Sequence, residues 1–129
     1  MHESWEPYVA PTREKYFLPL CRTLGLVADS THPHSDFGFA SAAAGSVRVH
    51  FEHDRGMCCL ALGNSSESES LLNVEELAVR FPRQRILSEG FQRLSLDEQC
   101  AFVESRWEDL QVMFSLDHYA ETRLWLQSQ

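Results

Sequence analysis

Between positions 50 and 59 the chain carries two histidines and two cysteines: His50, His53, Cys58 and Cys59. Imidazole and thiolate are zinc ligands, but zinc wants about four of them converging as a tetrahedron. The same residue types make a Cys/His nucleophile when a base or a helix N-terminus stabilises the thiolate. Their spacing argues against both. The surrounding stretch, 46–63, reads SVRVHFEHDRGMCCLALG. Val47, Val49 and Phe51 alternate with Arg48, His50 and Glu52, the period of a half-buried strand. Asp54-Arg55-Gly56 supplies turn chemistry, and an apolar run from Met57 to Leu62 returns as a second strand. On such a hairpin, positions 50 and 53 face opposite sides, and so do the adjacent cysteines. A thiol in the middle of an apolar run also has a raised pKa. A second histidine group, His32-Pro33-His34 with Asp36, falls in a polar loop. The expectation is exposed histidines, four buried reduced thiols (Cys21, Cys58, Cys59, Cys100), no metal, no cofactor and no catalytic residue.

Carboxylates are the more abundant resource. Eleven Lys and Arg against nineteen Asp and Glu leave a net charge of −8. That balance opposes binding to nucleic acid or membrane phosphates and favours a basic partner. Glu67, Glu69, Glu75, Glu76, Glu104, Glu108 and Asp109 are assigned to loops and solvent-facing helix positions. General acid–base work needs a carboxylate in a pocket with a shifted pKa, so these acids read as surface. Five of them, Glu67, Glu69, Glu104, Glu108 and Asp109, are the predicted docking surface for a basic protein. Arg80, Arg83 and Arg85 around Pro82 form too small a basic cluster for duplex binding on so acidic a chain. No Gly-rich loop opens a helix to hold phosphate. Trp5, Tyr8 and Trp125 lie near the termini as interface or docking candidates.

The elements that position these groups are legible in outline. A chain of 129 residues with 43% hydrophobic content fits a single domain over 1–129, with 1–10 as an arm. No apolar run approaches about 18 residues. The acidic N-terminus lacks the apolar centre of a secretory signal, so a cytoplasmic protein is expected. Pro11 opens a helix carrying Tyr16, Phe17, Leu20, Cys21 and Leu24, and Gly25 stops it. Residues 28–36 read as loop, and 37–44 as a first strand before the hairpin. The 63–70 segment, GNSSESES, reads as a flexible acidic loop. Asn73 caps a helix over 74–81, and 82–94 is irregular. Ser95 and Glu98 form a capping box. Behind it Cys100, Val103, Trp107, Leu110 and Phe114 make one apolar stripe. Ser115 or Asp117 caps a last helix. The fold predicted is α+β: a three-stranded antiparallel meander packed by an N-terminal helix and two to three C-terminal helices.

This order resembles a group of small bacterial proteins that includes immunity proteins of polymorphic-toxin and contact-dependent inhibition systems. Val47-Arg48-Val49 running into Asp54-Arg55-Gly56 carries the resemblance. So does the tail: Trp107-Glu108-Asp109-Leu110, Met113-Phe114-Ser115, then Glu121-Thr122. It covers most of the chain, its motifs are structural, and it brings no functional residue with it. It implies stoichiometric neutralisation of a toxin, without turnover; the chain itself is expected to be a monomer or homodimer. A second resemblance, to type III secretion chaperones, implies a dimeric chaperone or adaptor of a secreted effector. Those proteins carry two further strands before the last helix, where this chain has 82–94. A small hydrolase using His50, His53 and Cys58 or Cys59 is the enzymatic alternative.

Overall fold

The computed structural model describes residues 9–32, 37–55, 57–66, 71–79, 94–115 and 117–127. The expectations for the 1–8 arm with Trp5 and Tyr8, for His34 and Asp36, for Glu67 and Glu69, and for Arg80, Arg83 and Arg85 lie outside these residues, as does the side chain of Trp125.

The N-terminal helical run begins at Val9, two residues before Pro11. It comprises α1 (Val9–Thr12), a π-helical turn (Arg13–Phe17) and α2 (Leu18–Leu24). The Leu18 N–H reaches back to the Arg13 carbonyl, one residue further than in an α-helix. The widening lies just before Pro19, which has no N–H and whose ring would crowd the Lys15 carbonyl in a regular helix. Gly25 ends the run at φ +70°, its N–H bonded to the Cys21 carbonyl.

Five antiparallel strands follow in chain order across one sheet: β1 (Val27–His32), β2 (Phe37–Ala44), β3 (Val47–Asp54), β4 (Met57–Asn64) and β5 (Leu72–Asn73). The predicted meander is β2–β4, and β1 and β5 extend it at either end. The three-strand expectation is therefore corrected to five. β1 reads VADSTH, and every residue from 27 to 31 is exposed, so it lacks the apolar alternation that marks a strand. β5 spans only two residues before the chain turns helical.

Register decides what each face carries. Val49 lies between Ala42 and Leu62, and Phe51 between Ala40 and Leu60. All of these are buried in one core with Phe17, Leu20, Leu77, Phe102, Val103, Leu110 and Phe114 from the helices. The Phe17 and Phe51 ring centroids are 5.8 Å apart. The helices thus cover one face of the sheet.

Among the described residues five helical segments pack on that face, counting the N-terminal run as one. α3 (Val74–Val79) starts at Asn73, whose Oδ1 accepts the Glu75 N–H at 2.8 Å. α4 (Leu96–Ser105) has the full Ser95/Glu98 capping box. The predicted single stripe bends at Arg106 (φ −109°, ψ 13°), which separates α4 from α5 (Trp107–Met113). The bonds Arg106 N–H to Phe102 O and Leu110 N–H to Arg106 O carry the helical pattern through the bend. Cys100, Val103, Leu110 and Phe114 are buried as expected. α6 (Tyr119–Gln127) is preceded by Ser115, whose backbone carbonyl, not its hydroxyl, accepts the His118 and Tyr119 N–H groups. Among the described residues no helix is long and apolar enough to cross a membrane.

The two sheet edges differ. On β4 the Leu60 N–H donates to Gln99 Oε1 at 2.8 Å, and β5 pairs with Ala61 and Leu62. Buried Gln99 thereby closes an edge that the short β5 leaves open. β1, at the other edge, is irregular between Ala28 and Ser30. Such a bulge blunts a strand that would otherwise pair with other chains.

Candidate functional site

The bend at Arg106 presents the end of α4 and the first turn of α5 together. Glu104 and Ser105 come from α4, and Trp107, Glu108 and Asp109 from α5. With Leu24 at the end of α2 they line an open groove of about 410 Å³. Three of the five predicted docking acids, Glu104, Glu108 and Asp109, are thus brought into one place and are exposed. Arg106 lies 3.7 Å from Asp109 at i,i+3 and offsets part of the charge. Trp107 was expected in the core. It is half-buried: it packs against the core and also lines the groove. Carboxylates beside an indole suit a guanidinium or ammonium group, which the acids bond and the ring attracts through its quadrupole.

Glu75, assigned above to the solvent-facing acids, is buried at the start of α3. Its Oε2 accepts the Leu94 N–H at 2.7 Å, tying that helix to the approach of α4. It has no place in the surface.

The histidines are not exposed as expected. His50 retains 5% exposure and His53 1%. By register they face opposite sides of the sheet. His53 is on the core face, directly across from Cys58, while His50 lies across from Ala61 and Glu52 from Cys59. His50 stacks on Phe39 at a centroid distance of 4.8 Å, with Nδ1 3.4 Å from Glu52 Oε2. The histidine and cysteine that meet are therefore His53 and Cys58. Burial pushes the Cys58 thiol up, away from thiolate. It also raises Cys21 and Cys100 to about 11. All four cysteines are free; Cys100 is buried and the other three are half-buried. Among the described residues no three His, Cys, Asp or Glu side chains are placed to hold a metal ion.

The sheet face away from the helices carries a polar network that composition did not reveal. Arg48 donates to Asp29 and to Ser41 Oγ through Nη1, and to the Ser65 carbonyl through Nη2 at 2.8 Å. Partial burial acts to raise the Asp29 pKa, but bonds from Arg48 and Ser41 outweigh it and hold the carboxyl below its usual value. The network fastens the irregular point of β1 to β2, β3 and the turn after β4. From sequence Asp29 reads as loop because Asp-Ser-Thr-His is turn-like in composition.

Searches against protein-family models, curated proteins and solved structures find no match to this chain, so the functional reading rests on the groove and its neighbours.

Proposed function

We propose that the chain is a non-enzymatic partner-binding protein, an inhibitor of the immunity type. Its acidic groove between α4 and α5 receives a basic side chain of a toxin domain. One observation supports this above the others: Glu104, Glu108 and Asp109 share a single groove with half-buried Trp107. Acids scattered over a surface steer encounters only weakly once salt screens them. Acids converging beside an aromatic face can hold one cation in place. The net charge of −8 supplies the long-range attraction. The raised thiol of Cys58 weighs against a nucleophile at the hairpin.

The test is capture from a lysate of the organism that makes the protein, at low and high salt, with bound proteins identified by mass spectrometry. A basic protein should be retained at low salt, weakened at high salt, and lost when Glu104, Glu108 and Asp109 are all replaced by Lys. Capture that survives the triple replacement removes the groove from the interface.

A further inference from the structure

The exposed side of α5 continues past the acidic groove. Val112 lies four residues after Glu108, about 6 Å along the same helix face. It is 55% exposed, although it sits between two buried core residues, Leu110 and Phe114. With Met113, His118, Glu121 and Thr122 it lines a second open groove of about 360 Å³, whose wall is mostly apolar. The Thr122 hydroxyl is taken by the Met113 carbonyl at 2.6 Å. The charged or titratable groups lining this groove are then Glu121 and His118. Leu124, on the next turn of α6, is 67% exposed. An apolar trough therefore follows an acidic one along α5, with a further acid, Glu121, on its rim.

We propose that the two grooves form one docking surface for an amphipathic helix of a partner. The helix sets an Arg or Lys between Glu104, Glu108 and Asp109, and an aliphatic side chain one turn away against Val112 and Met113. The basic half of this match rests on the reading of the acidic groove given above; the apolar half is independent of it. Charge complementarity selects the occupant, because carboxylates line both grooves and a second copy of this acidic chain would be repelled. The α5–α6 surface offers no sheet edge, so an extended segment lying on it would gain no main-chain pairing. A helix satisfies its backbone internally and matches the spacing with residues three or four apart.

The probe is a capped helical peptide of about 18 residues, Ala- and Gln-based, with Arg and Leu four apart along one face. Three variants accompany it: Leu replaced by Gln, Arg replaced by Glu, and a central Pro that abolishes the helix. Binding to the full chain is followed by fluorescence anisotropy at low salt and by amide chemical shifts. The Arg/Leu helix should bind roughly tenfold tighter than its Leu-free form, with shifts at α5 and α6. Val112→Gln, with folding checked by circular dichroism, should erase that tenfold and leave the Leu-free peptide unaffected. Equal affinity of the two Arg peptides, or indifference to Val112→Gln, overturns the docking surface while the acidic groove stands. Failure of both Arg peptides to bind better than the Glu peptide overturns both readings. Full binding of the Pro variant overturns the helical occupant.

Discussion

Ser46 and Gln111 hold each other at both backbone and side chain. The Ser46 N–H donates to Gln111 Oε1 at 2.9 Å, and the Ser46 hydroxyl sits against the Gln111 backbone carbonyl and against Oε1 at 3.0 Å. Gln111 Nε2 in turn donates to the Ala44 carbonyl at 3.1 Å. One amide side chain thus locks the β2–β3 turn onto α5, the helix that carries both grooves.

This clamp makes Gly45 sensitive. Gly45 has φ +59°, and a Cβ placed there would run into Gln111 Oε1. Gly25 has φ +70° but nothing within 4 Å of the same position. Gly25→Ala should cost about 1 kcal/mol from left-handed backbone strain alone. Gly45→Ala should cost about 2 kcal/mol or more, because the amide must also give way. Denaturant melts of both variants, of Gln111→Ala, and of Gly45→Ala combined with Gln111→Ala provide the check. A double variant no better than the sum of the singles would show that the clash with Gln111 is not the cause.

Gln99, fully buried, is another amide with two assignments. It accepts from the Leu60 N–H and donates to the Leu94 carbonyl at 3.0 Å. Gln99→Leu keeps the bulk and strands both backbone groups, at about 1–3 kcal/mol. Faster hydrogen exchange at the Leu60 amide should accompany the lost stability. Unchanged exchange there would contradict the edge-closing role.

The thiols set an alkaline limit. Burial raises Cys21 and Cys100 to about 11, against roughly 8.5 for an unfolded thiol. The folded chain therefore holds these protons over a range in which the unfolded chain has lost them. Stability from this source is fully present below about 8.5 and drains away as pH rises toward about 11. Alkylation at pH 8 should be slow at Cys21, Cys58 and Cys100 in the native chain and fast in denaturant. Rapid native labelling of Cys58 at that pH would reopen nucleophilic chemistry at the hairpin.

Asp29 sets an acid limit of opposite sign. Its carboxyl is held below the usual value despite its partial burial, chiefly by Arg48. The contribution is present above the ordinary carboxylate pKa and is lost as pH falls through the lowered one. Arg48→Gln should return the Asp29 carboxyl toward its ordinary value in an NMR titration and raise hydrogen exchange along β1. If neither moves, the network does not secure that strand.

How far the sequence reaches differs from element to element. The hairpin, the Gly25 stop, the Ser95 capping box and the stripe from Cys100 to Phe114 were readable because each depends on residues a few positions apart. β1 was not readable, because its place comes from the Asp29–Arg48 bond and from pairing with β2 rather than from apolar alternation. His50 and His53 read as exposed because a polar residue on a strand ordinarily is; Phe39 covers one and the core takes the other. The acids were readable as surface. That Glu104, Glu108 and Asp109 share one groove with Trp107 was not, because the bend at Arg106 has neither Pro nor Gly to announce it.

The strands cross the sheet in the order in which a ribosome would make them. Every pairing closes a short loop, which favours rapid formation of the sheet. Once the chain has emerged through Asn73 all five strands are available, yet Phe102, Val103, Leu110 and Phe114 have still to emerge. In that interval Val49, Phe51, Leu60 and Leu62 lack much of their cover. Nascent-chain handling, by a chaperone or by a pause in translation, should therefore matter most for this protein between the last strand and the completion of α5.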